Sequence, residues 1–419
     1  MRENETEKLE QEIPSILTKR KLLPGDRVLW VIVALFFAIS LVAVYTASSK
    51  LGFSEGTMDS ELRRHCITLF ISASLLFGCY LIGANIMRTF TLLAYWGSFL
   101  MTLIPYFQAP INGAHRWLDL GFFMFQPSEL LKIATIMLLA ARLSAKHYMI
   151  KKIHLLPTTI DVRKWFSDER ERSIIFDEIV PVISPIAFTC MVILPDATSS
   201  ALHIFFVSLI MLFIAGIRFK EIAKLVVVAA FVGLTVLFTV GRGETVITRV
   251  KSWLGIEVVA DNNSHSKDTY YSKMAIQNGG IFGVGAGRSM MRTKLTHPES
   301  DYLFAIVVEE FGLLLSSVII LLYLWLFFRS LRIFEKCEWL YAGLLAVGLA
   351  LLVTSQGFLH ISVALGILPE TGQNLPFLTH GRTGMFCASI AIGMILSISR
   401  QSEQGTLLPP SQHNKNKHI

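Results

Sequence analysis

Four polar clusters interrupt an otherwise apolar chain, and any chemistry must be sought in them. The first is Asn112-Gly113-Ala114-His115-Arg116-Trp117, followed by Phe125-Gln126-Pro127-Ser128-Glu129-Leu130-Leu131-Lys132. Gln126, Glu129 and Lys132 recur every three residues, so on a helix begun by Pro127 they share one face. If that helix enters a membrane, Lys132 must pair or line a wet cavity. A plain structural Glu129–Lys132 pair is the competing reading. The second cluster, Leu194-Pro195-Asp196-Ala197-Thr198, is a tight turn in which Asp196 is expected to cap the next helix. The third is the glycine run Asn278-Gly279-Gly280-Ile281-Phe282-Gly283-Val284-Gly285-Ala286-Gly287-Arg288, then His297-Pro298-Glu299-Ser300-Asp301-Tyr302 and Glu309-Glu310. No strand precedes these glycines, which argues against a nucleotide loop. They suit turns where backbone passes close to a ligand or a helix. Asp301, at the mouth of a helix and beside a basic segment, could accept a hydroxyl proton, bind a divalent ion, or merely cap the helix. Glu309 and Glu310 follow about 10 Å further along and need partners such as Lys132, unless one is protonated. The fourth cluster, 369–384, has the prolines and glycines of a shaped loop.

The elements that must position these clusters follow from composition. Of 419 residues, 53% are hydrophobic and 16% charged, and the mean hydropathy is +0.55. An average soluble domain is roughly 25% charged. The chain is therefore expected to be an all-α, polytopic integral membrane protein rather than a disordered chain or a soluble enzyme. A crossing helix needs about 20 mostly apolar residues. Ten segments qualify, near 28–46, 67–84, 90–107, 127–143, 179–195, 201–217, 225–241, 303–328, 340–365 and 384–399. This gives a cytoplasmic tail over 1–27, a ten-helix membrane domain over 28–399 with a large outer loop at 242–302, and a second cytoplasmic tail over 400–419. The acidic N-terminus reads as a tail and not as a signal peptide. Basic residues between the spans place both termini and 144–178 inside, and 108–126 and 242–302 outside. Within the outer loop, 246–256 reads as an interfacial amphipathic helix. The loop is basic, which suits a phosphate-bearing lipid or anionic membrane headgroups. The net charge of +7 is scattered between apolar runs, so nucleic acid is not an expected partner. Cys66, Cys79, Cys190, Cys337 and Cys387 have neither disulfide-framework nor zinc spacing.

In sequence order, NGAHRW, FQPSELLK, NGGIFGVGAGRS, HPESDYLFAIVVEEFG and GILPETGQNLPFLTHG resemble the motifs of the SEDS proteins of shape, elongation, division and sporulation. The resemblance spans nearly all ten segments, and the GVGAGRS form is more similar to the division branch. It implies a multi-pass protein of the bacterial cytoplasmic (inner) membrane that polymerises lipid II into peptidoglycan at the outer face. Membrane lipids, a class B penicillin-binding protein and division machinery proteins are the implied partners, with no organic cofactor. By motif, the family's essential aspartate falls on Asp301, and its arginine and lysine fall on Arg116 and Lys132. Ser300-Asp301-Tyr302 stands where the family usually has Thr-Asp-Phe, and Leu194-Pro195-Asp196 where it has Gln-Pro-Asp. The usual histidine two residues before Asp301 is missing. Thr379-His380-Gly381-Arg382 replaces Ser-Tyr-Gly-Gly, which leaves the last loop without an assigned role.

The reaction so implied needs a base for the 4-hydroxyl of an acceptor GlcNAc, and Asp301 would be that base. Lys132, Arg116, and Arg288 or Arg292 would meet the charge developing on the lipid diphosphate. Gln126, Glu129 and Trp117 would be further substrate contacts, with Glu309, Glu310, Asp196 and Ser300 in support. A divalent cation, Mg or Mn, is expected as a possible companion of Asp301. An α-linked donor giving a β-linked product fits a single inverting displacement. The alternatives are a lipid II flippase, which would need polar residues across the whole membrane, or a scaffold for the penicillin-binding protein, in which Asp301 would be dispensable.

Overall fold

The computed structural model describes residues 24–48, 57–109, 115–121, 123–146, 154–156, 168–239, 243–254, 264–296, 298, 300–379 and 381–407. Most of the two tails, Asn112, Gly113, Ala114, His297, Glu299 and His380 lie outside them. The described chain is mostly helical. Its helices are α1 Arg27–Ser48, α2 Thr57–Leu81, α3 Ala84–Thr89, α4 Thr91–Leu103, α5 Pro127–Ala145, α6 Glu169–Ile193, α7 Thr198–Ile214, α8 Phe219–Thr239, α9 Gly243–Leu254, α10 Ser264–Gly279, α11 Leu303–Lys336, α12 Leu340–Ala364 and α13 Arg382–Glu403. A small antiparallel hairpin pairs Leu118 with Phe125 and Asp119 with Met124 just before α5.

Each of the ten expected segments overlaps a helix, yet only seven of the described helices are long and apolar enough to cross a membrane. The physical reason lies in the other three. α4 and α7 are shorter apolar helices, and α5 carries Glu129, Lys132 and Arg142.

The core sits around α5, α12 and α13. Buried residues make up 83% of the α12 span and 89% of the α13 span, against 11% of α8, so α8 lies at the periphery. A helix apolar all round belongs inside a bundle or in lipid. Small residues set the closest approaches. A Cβ on Gly393 of α13 would stand 2.4 Å from the Leu76 carbonyl oxygen of α2.

One end of the bundle is clasped by the two ends of the described chain. The Tyr80 hydroxyl donates to the Pro24 carbonyl (2.8 Å), Gly25 N–H donates to Glu403 (2.7 Å), and Arg329 pairs with Asp26. The other end holds the starts of α5, α7 and α11 and the loop between α12 and α13.

The 242–302 region is more helical than expected. α9 is helical over 246–254 of the expected amphipathic segment, and its Trp253 indole N–H donates to the Gly366 carbonyl (3.2 Å). α10 was not foreseen. Its buried positions, Asp268, Ser272, Ala275 and Gly279, recur at helical spacing and are small or polar, so no apolar stripe advertised them. The glycine run after α10 docks on a break in α11 at Gly312 (φ 78°, ψ 171°). There Val284 N–H and Gly285 N–H donate to the Glu309 and Glu310 carbonyls (2.9 and 3.0 Å), while Leu313 and Leu314 N–H donate to the Gly280 and Ile281 carbonyls (3.0 and 3.3 Å). The loop thus satisfies backbone groups that the broken helix leaves open, as membrane depth demands.

Candidate active site

α5 begins the site. Gln126 is its N-cap residue and Pro127 its first helical residue, so a missing N–H falls where none is needed. The Gln126 N–H donates to the Thr383 hydroxyl at the start of α13 (3.2 Å). Three residues on, Glu129 and Lys132 form an ion pair at 2.8 Å, with the lysine side chain fully buried. The Lys132 ammonium also donates to the Gln356 side-chain oxygen of α12 (3.4 Å), and the Gln356 amide donates to the Asn374 carbonyl (3.3 Å). Glu129, not Lys132, faces a cleft between α5, α12 and α13 that Ile133, Gln356, Pro376 and Cys387 also line.

Two expected partnerships are corrected. Glu309 does not serve Lys132; it accepts from the Ser289 hydroxyl, Met290 N–H (3.2 Å), Met291 N–H (3.4 Å) and the Asn278 amide (3.4 Å). This buried carboxylate closes the turn after the glycine run. Its neighbour Glu310 is equally buried. Nor does Asp196 cap α7, whose N-cap is Ala197 with no side-chain bond. Asp196 Oδ1 instead accepts from His115 N–H across the bundle end (3.3 Å), because the turn points it back at the segment entering the hairpin.

Arg116 stands over the Trp117 ring, 5.6 Å from its centroid. With His115, Ser128, Asp196 and Tyr106 it lines a pocket beside the α5 N-terminus. That end of a helix favours anions. Arg288 is exposed at the end of the glycine run, whereas Arg292 in the next turn is buried.

Asp301 and Ser300 lie half-buried in the turn before α11. The N-cap of α11 is Tyr302, whose side chain makes no cap bond. Tyr302 is 1% exposed and its hydroxyl donates to Glu370 Oε1 at 2.9 Å. Burial first, then the Glu370 carboxylate beside it, holds this phenol well above its usual pKa, so it remains a donor.

Glu370 introduces the loop whose role the sequence left unassigned. Here it is a hub. The Ser199 hydroxyl donates to the Thr371 carbonyl (2.6 Å), the Gln373 amide to the Ser200 hydroxyl (2.7 Å), and the His360 ring N–H to the Gln373 carbonyl (2.9 Å). Sequence reasoning missed Tyr302, Glu370, Gln373, Gln356 and His360. The signal available was Gln356 and His360, polar residues one helical turn apart in an apolar span. Among the described residues no three His, Cys, Asp or Glu side chains converge to hold a metal ion.

The model of the FtsW, RodA and SpoVE family, described as a cell cycle protein, matches residues 26–404. The chain belongs to that family. It is 28% identical over 407 residues to stage V sporulation protein E of Bacillus subtilis (strain 168), covering 92% of this chain and all of that one. It is 26% identical to a protein of Coxiella burnetii named probable peptidoglycan glycosyltransferase FtsW, covering 89% and 96% of the two chains. A solved chain from a peptidoglycan synthase complex, described as coordinating polymerization and crosslinking, matches with a TM-score of 0.66 at 21% identity, covering 91% and 99%. The rod shape determining protein RodA of Thermus thermophilus matches with a TM-score of 0.57 at 20% identity, covering 91% and 98%. These two likenesses establish the fold. In this member of the FtsW, RodA and SpoVE family, the hub loop, the α5 start and the turn before α11 meet at one end of the bundle.

Proposed function

We propose that this chain is a peptidoglycan glycosyltransferase that polymerises lipid II at the outer face of the cytoplasmic membrane during division, beside a class B penicillin-binding protein. The observation that carries the reading is Asp301, half-buried in the turn at the mouth of α11. It lies at the bundle end that also bears the Arg116 pocket and the Glu129–Lys132 pair. Curated relatives named as probable peptidoglycan glycosyltransferases support it, as does the likeness to a chain of a peptidoglycan synthase complex.

Asp301 takes the proton of the acceptor 4-hydroxyl as that oxygen attacks the donor's anomeric carbon. The bond to the lipid diphosphate breaks on the opposite face, giving inversion. Arg116 and the α5 N-terminus meet the charge that develops on the diphosphate. Lys132, buried behind Glu129, neutralises that acid and so prevents the cleft from repelling a dianionic substrate. A divalent cation would find one carboxylate at Asp301 and take its other ligands from diphosphate and water, the usual habit of Mg²⁺.

The test is polymerisation of labelled lipid II by the purified chain with its penicillin-binding partner, wild type against Asp301→Asn. The amide keeps the size but cannot accept the proton. Polymer should fall by roughly 10²- to 10⁴-fold with folding and partner binding intact. Full polymerisation by Asp301→Asn would move the weight to a flippase or a scaffold.

A further inference from the structure

The N-cap of α11, Tyr302, makes no side-chain cap bond; it anchors the turn that carries Asp301 in another way. The Tyr302 ring is buried, and it packs with Leu295, Ile306 and Val363. The ring fixes where the turn lies, and the hydroxyl gives it a second point of attachment. That hydroxyl donates to Glu370 Oε1 at 2.9 Å and also meets the Thr269 hydroxyl of α10. Glu370 is itself well anchored. Its carbonyl takes the Arg249 guanidinium of α9 (3.5 Å), and the residues after it are tied to α7 through Ser199 and Ser200 and to α12 through His360. On the other flank, Asp268 of α10 accepts from Thr296 N–H (3.1 Å), ahead of Asp301. A phenylalanine at 302, the residue usual in the pattern this chain resembles, would fill the same slot and hold nothing at Glu370.

We propose that Tyr302 and Glu370 form a latch that ties the Asp301 turn to the loop between α12 and α13 and sets the carboxylate's position for reaction. Tyr302 is thus a positioning residue, and the proposal rests on the reading of Asp301 as the base. A misplacement of about 1 Å in a reacting group costs up to about 100-fold in rate. Loss of the latch should therefore appear in kcat and leave KM within about twofold.

Four variants of the full chain, with its penicillin-binding partner and labelled lipid II, decide it. Tyr302→Phe and Glu370→Ala should each lower kcat about 10- to 100-fold. Glu370→Gln, whose amide oxygen still accepts the hydroxyl, should recover most of the loss. The double variant Tyr302→Phe with Glu370→Ala should be no worse than either single one, as expected of partners in one interaction. Hydrogen exchange gives a readout independent of turnover: backbone amides of 300–305 and 370–374 should loosen together in both Tyr302→Phe and Glu370→Ala. Unchanged kcat in an active preparation, additive losses, or exchange that rises in one segment alone overturns the latch. A wild-type chain that makes no polymer defeats the proposed function instead, and the exchange measurement still judges the latch.

Discussion

Lys132 is a cation with no exposure, bound to an acid that is itself nearly buried, and this makes its removal unlike the removal of a surface lysine. Lys132→Met keeps the stem but strands the Glu129 carboxylate. Breaking one half of a buried pair costs about 3–5 kcal/mol, much of it the penalty of the charge left behind. The single variant is therefore expected to unfold well below wild type in a thermal scan. Adding Glu129→Gln removes the stranded charge and should restore most of the stability. Polymerisation should fall in the single variant, whose cleft carries an unneutralised acid, and return in the double one, whose cleft is again without net charge. A double variant that is stable yet inactive would show that Lys132 does more than neutralise Glu129. The spacing of Glu129 and Lys132 made this pair legible, because residues three apart on a helix meet. Glu309 was not legible in the same way. Its partners Ser289, Met290 and Met291 come from an earlier loop, and no local spacing rule reports a contact made by tertiary docking.

Among elements, the glycine run and the break in α11 form one interlock, and each side needs the other to lack a side chain. A Cβ on Gly283 (φ +80°) would stand 2.3 Å from the Glu310 carbonyl oxygen, and one on Gly312 (φ +78°) would stand 2.2 Å from that of Ile281. Gly280 (φ +51°) lies in the same run with open space around it. Gly280→Ala should therefore cost only the roughly 1–2 kcal/mol of a left-handed alanine. Gly283→Ala and Gly312→Ala must also push backbone apart and should lower the unfolding temperature distinctly further. Equal losses at all three positions would show that the docking does not depend on close approach. The sequence already indicated glycines where backbone passes close to a helix. It could not show which helix, nor that α11 breaks to receive them, since Gly312 sits in an apolar run with nothing else to mark a break. α10 escaped notice for the related reason that it packs through small and polar residues, which leave no hydropathy signal.

For the molecule as a whole, the fold links two questions that the sequence treats separately: which side of the membrane the site faces, and whether it can reach a lipid-linked substrate there. The apolar segments and their order were legible, because a span's length and hydropathy are local properties. The sidedness rests on basic residues, and Arg88, Arg329 and Arg400 all fall at the clasped end with Asp26 and Glu403, which favours that end as cytoplasmic. Asp301 belongs to the opposite end. Lys267 is exposed and adjoins Asp268, which holds Thr296 ahead of Asp301, so a label at 267 reports the side on which Asp301 works. Gln404 is exposed at the clasped end. Cys66 is exposed and Cys79, Cys190 and Cys337 are partly so, so replacing all five cysteines by serine supplies a quiet background. In that background, Lys267→Cys should react with a membrane-impermeant maleimide in intact spheroplasts, and Gln404→Cys only after permeabilisation. The reverse pattern would place Asp301 in the cytoplasm, on the wrong side for a polymerase at the outer face, and the proposed reaction would fall with it even though the helices and their packing stood unchanged.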